Sequence, residues 1–134
     1  MSTLLLDASV VLAAFDPDDA HHVPATELLD DTSVTLATLD LARYEVANIA
    51  IRAWRNPDAV APLLAVLERI ADDGGVIVST AALMARAAEL AEHHSISVYD
   101  AAYVAAVGEG SRSLVSCDER DLVSKGLAVL PGAH

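Results

Sequence analysis

Two rhythms of hydrophobic and polar positions alternate along this chain. Short unbroken apolar runs are separated by longer stretches in which apolar residues recur every three or four positions. Leu4-Leu5-Leu6 is the first run, and a run without alternation suits a strand covered on both faces. The residues over 10–15 suit a short buried helix, and Asp16-Pro17-Asp18-Asp19 is an acidic turn. A helix is predicted over 23–31, with Pro24 in its first turn. An alternating, β-branched strand follows over 33–38. Asp40 is placed to cap a helix running to about Trp54, and Asn56-Pro57-Asp58 breaks the chain before a second helix over 59–71. After Asp72-Asp73-Gly74-Gly75, Val76-Ile77-Val78 reads as a buried strand. Ser79 or Thr80 then caps an alanine-rich helix ending near Glu92. Ser97 and Asp100 have the spacing of a capping box, with aspartate in place of the usual Glu or Gln. The helix they open is apolar nearly all round and ends at Gly108 and Gly110. Ser113-Leu114-Val115-Ser116 is a strand leading into Asp118, which opens a short helix stopping at Gly126, and Ala128-Val129-Leu130 is a last strand.

Strands and helices therefore alternate, which predicts an α/β fold with a mostly parallel sheet of about five strands. Right-handed crossovers put every strand's carboxyl end on one edge of such a sheet, where ligands of open α/β folds bind. A chain of 134 residues suits one domain, over 1–134, with a substantial core.

Composition narrows the function. Hydrophobic residues make up 54% of the chain, much of it alanine, so closely packed helices are expected and disorder is not. No apolar run is long enough to span a bilayer, no basic segment precedes Leu4, and Cys117 is the only cysteine. A cytoplasmic protein without an intrachain disulfide fits best. The net charge is -12, from 20 acidic and 8 basic residues. That argues against loose attraction to nucleic acid through lysine and arginine, but not against a nucleic-acid enzyme that uses cations and local arginines. It also suits a basic protein partner.

The candidate chemistry lies in four carboxylates. Asp7 and Asp118 each follow a strand at its carboxyl end. Asp100 lies in the first turn of a helix whose N-terminus faces that edge, and Glu45 lies early in the helix after the second strand. Each has a plainer reading. Asp7 caps a helix together with Ser9, Asp118 caps another, Asp100 completes its capping box, and Glu45 is a solvated residue paired with Arg52. Taken together, four placements converging on one edge favour function.

Leu5-Leu6-Asp7-Ala8-Ser9, Tyr44-Glu45-Val46-Ala47-Asn48, Val98-Tyr99-Asp100-Ala101-Ala102-Tyr103-Val104-Ala105 and Ser116-Cys117-Asp118-Glu119-Arg120-Asp121-Leu122 occur in that order. With them the chain resembles PIN-domain ribonucleases, and more narrowly VapC-type toxins of bacterial toxin–antitoxin systems. The resemblance spans almost the whole chain. It implies a three-layer PIN-like fold and a magnesium- or manganese-dependent endoribonuclease leaving 5′-phosphate and 3′-hydroxyl ends. It also implies a VapB-like antitoxin and a homodimer within a hetero-oligomeric complex. Carried over, the catalytic positions are Asp7, Glu45, Asp100 and Asp118, with Asp7 and Asp100 as the nearest metal ligands. Asp121 competes with Asp118 for the fourth place. A hard divalent cation relieves the mutual repulsion of such a cluster and prefers oxygen ligands.

Other residues point elsewhere. His21-His22 and His93-His94 are adjacent pairs that chelate one ion poorly. Cys117 has acidic neighbours that disfavour a thiolate. Trp54 between Arg52 and Arg55 suits either base stacking or a half-buried helix end. A receiver-type binding module needs a lysine after a late strand, whereas the only lysine, Lys125, closes a short helix. A haloacid-dehalogenase-type phosphatase needs a second aspartate where Ser9 stands. A catalytically idle PIN scaffold is the remaining alternative.

Overall fold

A computed structural model describes residues 3–108 and 112–134. Four strands form one sheet: β1 (Thr3–Leu6), β2 (Thr35–Leu39), β3 (Val76–Ile77) and β4 (Arg112–Val115). Their order is β3-β2-β1-β4 and every pairing is parallel. Leu5 of β1 stands opposite Ala37 of β2 and Leu114 of β4. Helices flank the sheet: α1 (Ala8–Phe15), α2 (His22–Asp30), α3 (Leu41–Arg52), α4 (Val60–Asp73), α5 (Ala81–His94) and α6 (Val98–Val107).

The central strand has the composition its position demands. Leu5, Leu6, Leu39 and Val115 are fully buried, as residues covered on both sheet faces must be. Helices complete the core with Val10, Val11, Leu28, Val46, Leu63 and Leu67. Alanines at 25, 42, 50, 87 and 101 have no exposed surface, which lets helix backbones approach closely. Gly74 closes α4 against β2, where a Cβ would stand 2.3 Å from the Leu36 carbonyl oxygen. Among the described residues no helix is long and apolar enough to cross a membrane.

Four local expectations change. The strand expected to be buried over 76–78 is only half-buried as β3, and Val78 beyond it is exposed. The strand expected over 128–130 is reduced to one parallel bridge between Val115 and Val129, so the sheet has four strands rather than about five. Pro131 lacks an N–H for further pairing and starts a 3₁₀ turn instead. Asp40 does not cap α3. Its backbone is already helical, and its carboxylate accepts from the Ser79 N–H (2.9 Å) and hydroxyl (2.5 Å), tying the start of α3 to the end of β3. The segment after Asp118 is a wide π turn (Glu119–Val123), held by Val123 N–H to Asp118 C=O (3.0 Å) and Ser124 N–H to Glu119 C=O (2.8 Å). Gly108 ends α6 with φ +66, while Gly110 lies outside the described residues.

The strand order also locates the cleft. From β1 the chain moves outward through β2 to β3, then returns across β1 to β4. The order therefore reverses between β1 and β4, and a crevice opens at the carboxyl ends of those two strands. Asp7 follows β1 and Asp118 follows β4 closely.

Candidate active site

Asp7 is the deepest of the acidic residues, at 5% exposed. It caps α1 by accepting from the Ser9 N–H (3.1 Å), and the Ser9 hydroxyl donates to the same oxygen. The Ser116 hydroxyl lies 3.4 Å from the Ser9 hydroxyl and accepts from the Asp118 N–H (3.0 Å). Cys117 N–H donates to the Ser9 hydroxyl oxygen (2.9 Å). Serines thus stitch the ends of β1 and β4 together around one buried carboxylate. Burial pushes Asp7 up to about 7, against the serine hydrogen bonds, and the charges of Glu45 and Asp100 push the same way.

Glu45 lies on α3, half-buried, one turn in from the helix start. Its Oε1 accepts from the Tyr103 hydroxyl at 2.6 Å, not from Arg52. Burial raises its pKa, and the charge of Asp100 adds to that. Asp100 lies in the first turn of α6, whose cap is Ser97: the Ser97 hydroxyl oxygen accepts from the Asp100 N–H (3.0 Å). Burial raises Asp100 as well, followed by the charges of Asp118 and Asp121. Asp118 caps the π turn by accepting from the Asp121 N–H (3.0 Å) through Oδ1.

The four predicted carboxylates therefore lie within reach of one another's charge. Asp7 feels Glu45 and Asp100, Glu45 feels Asp100, and Asp100 feels Asp118. Asp7 and Asp118 are caps as well as members of the cluster. The two readings do not compete, because a carboxylate has two oxygens and the Asp121 N–H uses only Oδ1 of Asp118. The tightest grouping is Asp100, Asp118 and Asp121, with one oxygen from each within 4.8 Å of the others. Among the described residues, no salt bridge reaches Asp7, Glu45, Asp100 or Asp118. Asp121 has the exposed Arg120 Nε at 3.8 Å, and the other four are left without a cationic side chain, an all-oxygen donor set that fits a hard divalent ion.

A family model for the PIN domain matches residues 4–125. The chain belongs to the PIN-domain family. Over 126 residues this PIN domain is 34% identical to Ribonuclease VapC3 of Pyrobaculum aerophilum, covering 91% of this chain and 93% of that one. It is accordingly a PIN domain of the VapC type. Among solved structures it resembles Mycobacterium tuberculosis VapC20, a sarcin–ricin loop cleaving toxin, with a TM-score of 0.74 at 21% identity over 92% of this chain and 95% of that one. It also resembles a toxin–antitoxin complex from Klebsiella pneumoniae, with a TM-score of 0.68 at 16% identity over 96% and 97%.

Around the cluster, this PIN domain resolves the other sequence signals. Burial and the nearby Asp7 charge push the Cys117 thiol up to about 12, so it is no nucleophile at neutral pH. His21 Nε2 lies 3.2 Å from Glu119 and His22 Nδ1 lies 2.8 Å from the Ala13 carbonyl. His93 and His94 pack edge to face. Trp54 packs on the core and lines a cavity of about 330 Å³ beside the cluster, together with Ser9, Leu12, His21, Ile49 and Asp118. Lys125 Nζ donates to the His94 carbonyl (2.7 Å), far from a receiver-type role. Tyr103 and Ser116 are the neighbours of the cluster that sequence patterns alone do not single out. The i, i+3 spacing of Asp100 and Tyr103 on one helix is the one signal that pairs them.

Proposed function

We propose that this protein is the toxin of a VapC-type toxin–antitoxin pair and a metal-dependent endoribonuclease. The observation that carries this reading is the cluster itself: Asp7, Glu45, Asp100 and Asp118 within reach of one another's charge and without a salt bridge, with Asp121, which Arg120 approaches to 3.8 Å, beside Asp100. Residues 1–134 act as one PIN unit. Asp7 and Asp100 would be the nearest ligands of a magnesium or manganese ion, with Glu45 and Asp118 placed to hold water around it. When bound, such an ion offsets phosphate charge and makes water nucleophilic near neutral pH. The chain's own contribution is placement. Ser9 fixes Asp7, the Ser97 cap fixes the turn that presents Asp100, and the π turn presents Asp118 and Asp121. Hydrolysis of RNA there leaves a 5′-phosphate and a 3′-hydroxyl.

A VapB-like antitoxin and a second copy of the chain are the proposed partners, in a hetero-oligomeric complex. Exposed apolar side chains support a protein-binding face: Tyr44 (76% exposed), Tyr99 (63%) and Val98 border a groove of about 610 Å³. A basic side chain of the antitoxin reaching the carboxylates would inhibit through charge-assisted contacts.

The test is cleavage of a randomised pool of labelled RNA oligonucleotides by the purified protein. Cleavage is expected with magnesium or manganese, and is expected to be lost in chelator and in Asp100→Asn. Cleavage that persists in both would remove the metal and the site together.

A further inference from the structure

Tyr103 is only 2% exposed, yet its hydroxyl stands where three carboxylate-bearing elements meet. It is carried on α6, one turn after Asp100. It also lies close enough to Asp7, the cap of α1, to feel that carboxylate's charge. It donates to Oε1 of Glu45, on α3, at 2.6 Å. A phenol has one proton. At 2.6 Å that proton is committed to Glu45, and Oε1 of Glu45 is committed to it. The second carboxylate oxygen, Oε2, is then the one left for the crevice.

We propose that Tyr103 is a positioning residue that locks the Glu45 carboxylate in one orientation and presents a single oxygen to the reaction site. This rests on the ribonuclease reading, in which Glu45 belongs to the catalytic cluster. Glutamate reaches its carboxylate through three rotatable bonds, and Glu45 is only half-buried, so packing alone leaves it several rotamers. Two other carboxylates are held by nearby caps, Asp7 by Ser9 and Asp118 by the Asp121 N–H, and Asp100 has its backbone N–H capped by Ser97. Glu45 sits inside α3 and has no such local partner. Its anchor comes from 58 residues away, from the helix that also carries Asp100, so the hydroxyl also fixes the register of Glu45 against Asp100.

Tyr103→Phe removes the hydroxyl and keeps the ring in the core. With the labelled RNA pool, kcat is expected to fall about 10- to 100-fold while apparent KM stays within about twofold, as for a misplaced catalytic group. In a Glu45→Gln background the same substitution is expected to change the remaining rate less than about twofold, because the two residues act as one unit. A kcat within about twofold of wild type, or an equal loss in both backgrounds, would overturn the proposal. The intact wild-type protein supplies a second measurement that needs no stable Tyr103 variant. The buried hydroxyl proton should give a downfield-shifted NMR resonance that moves in Glu45→Gln, and a resonance unmoved by that change overturns the proposal. Wild-type cleavage by both Glu45→Gln and Asp100→Asn would instead remove the ribonuclease site itself, whatever Tyr103 does.

Discussion

At the scale of single residues, the acidic cluster is held together by groups that tolerate its charge rather than cancel it. Asp7 shows the tension most clearly. Its pKa rises from 3.8 to about 7, first because burial penalises the charged form. In the metal-free protein the folded state therefore binds a proton more tightly than the unfolded state does. The stability this gives is full below about pH 4, falls as pH rises through the interval, and is gone above about pH 7. Asp7→Asn keeps the shape and can still accept from the Ser9 N–H. In chelator it should remove that decline, and above about pH 7 it should melt at least as high as wild type. It should also lose RNA cleavage and most of the thermal stabilisation by excess magnesium, which acts through binding to the folded state. Melting curves in chelator and in magnesium, at about pH 5 and about pH 8, check both parts. A variant melting several degrees lower in chelator at the higher pH would make Asp7 chiefly a structural cap. The acid positions themselves were legible in the sequence, because strand ends and cap spacing are local patterns. The Tyr103–Glu45 bond was not, since a contact across 58 residues leaves no local pattern.

At the scale of elements, three of the four candidate residues, Asp7, Asp100 and Asp118, are delivered by the start of a helix or turn, where sequence reads best, and Glu45 comes from inside α3. Ser97 was legible as a cap and Thr80 as one of two candidates beside Ser79, and both hold: Ser97 accepts from the Asp100 N–H (3.0 Å) and Thr80 from the Leu83 N–H (3.1 Å). Asp40 looked equally like a cap, but a tertiary partner, Ser79, took its carboxylate. The final strand failed for a related reason, since Val129 finds a β4 partner for only one bridge before Pro131 turns the chain. The two true caps make a matched experiment. Ser97→Ala and Thr80→Ala should each cost about 1 kcal/mol of stability, seen as similar losses in denaturant midpoint. Only Ser97→Ala should also slow RNA cleavage, because it loosens the turn that presents Asp100. Equal rates in the two variants would show that the cap of α6 matters to the fold and not to the site. Gly74→Ala is the converse case. Its Cβ would stand 2.3 Å from the Leu36 carbonyl oxygen, so α4 or β2 must shift. A loss of about 1–3 kcal/mol is expected from such overpacking, with the cleavage rate of the folded fraction unchanged.

At the scale of the whole molecule, charge decides how RNA and protein partners approach. With 20 acidic against 8 basic residues, the chain repels a polyanion at long range. A typical nucleic-acid binder releases many counterions, and its affinity falls about 10³–10⁵-fold between 50 and 200 mM salt when it makes 6–10 phosphate contacts. This chain offers seven arginines and one lysine, and Arg43, Arg86, Arg112, Arg120 and Lys125 already contact groups of the protein itself. Binding of RNA to an inactive Glu45→Gln protein, at fixed magnesium, should therefore weaken by no more than about tenfold over that salt interval. The complex with a basic antitoxin tail should behave oppositely. Its approach is steered by the same negative field, so the association rate should fall steeply with salt while dissociation changes little. Fluorescence anisotropy for the RNA and stopped-flow mixing for a basic tail peptide measure the two slopes. A steep salt loss for RNA would mean that a local arginine surface, rather than the ion at the carboxylates, does most of the holding. Parallel slopes for RNA and peptide would mean that the field does not distinguish substrate from inhibitor. The expected divergence follows from the proposed site and the net charge: carboxylates that would need a metal to accept phosphate attract a basic chain without one.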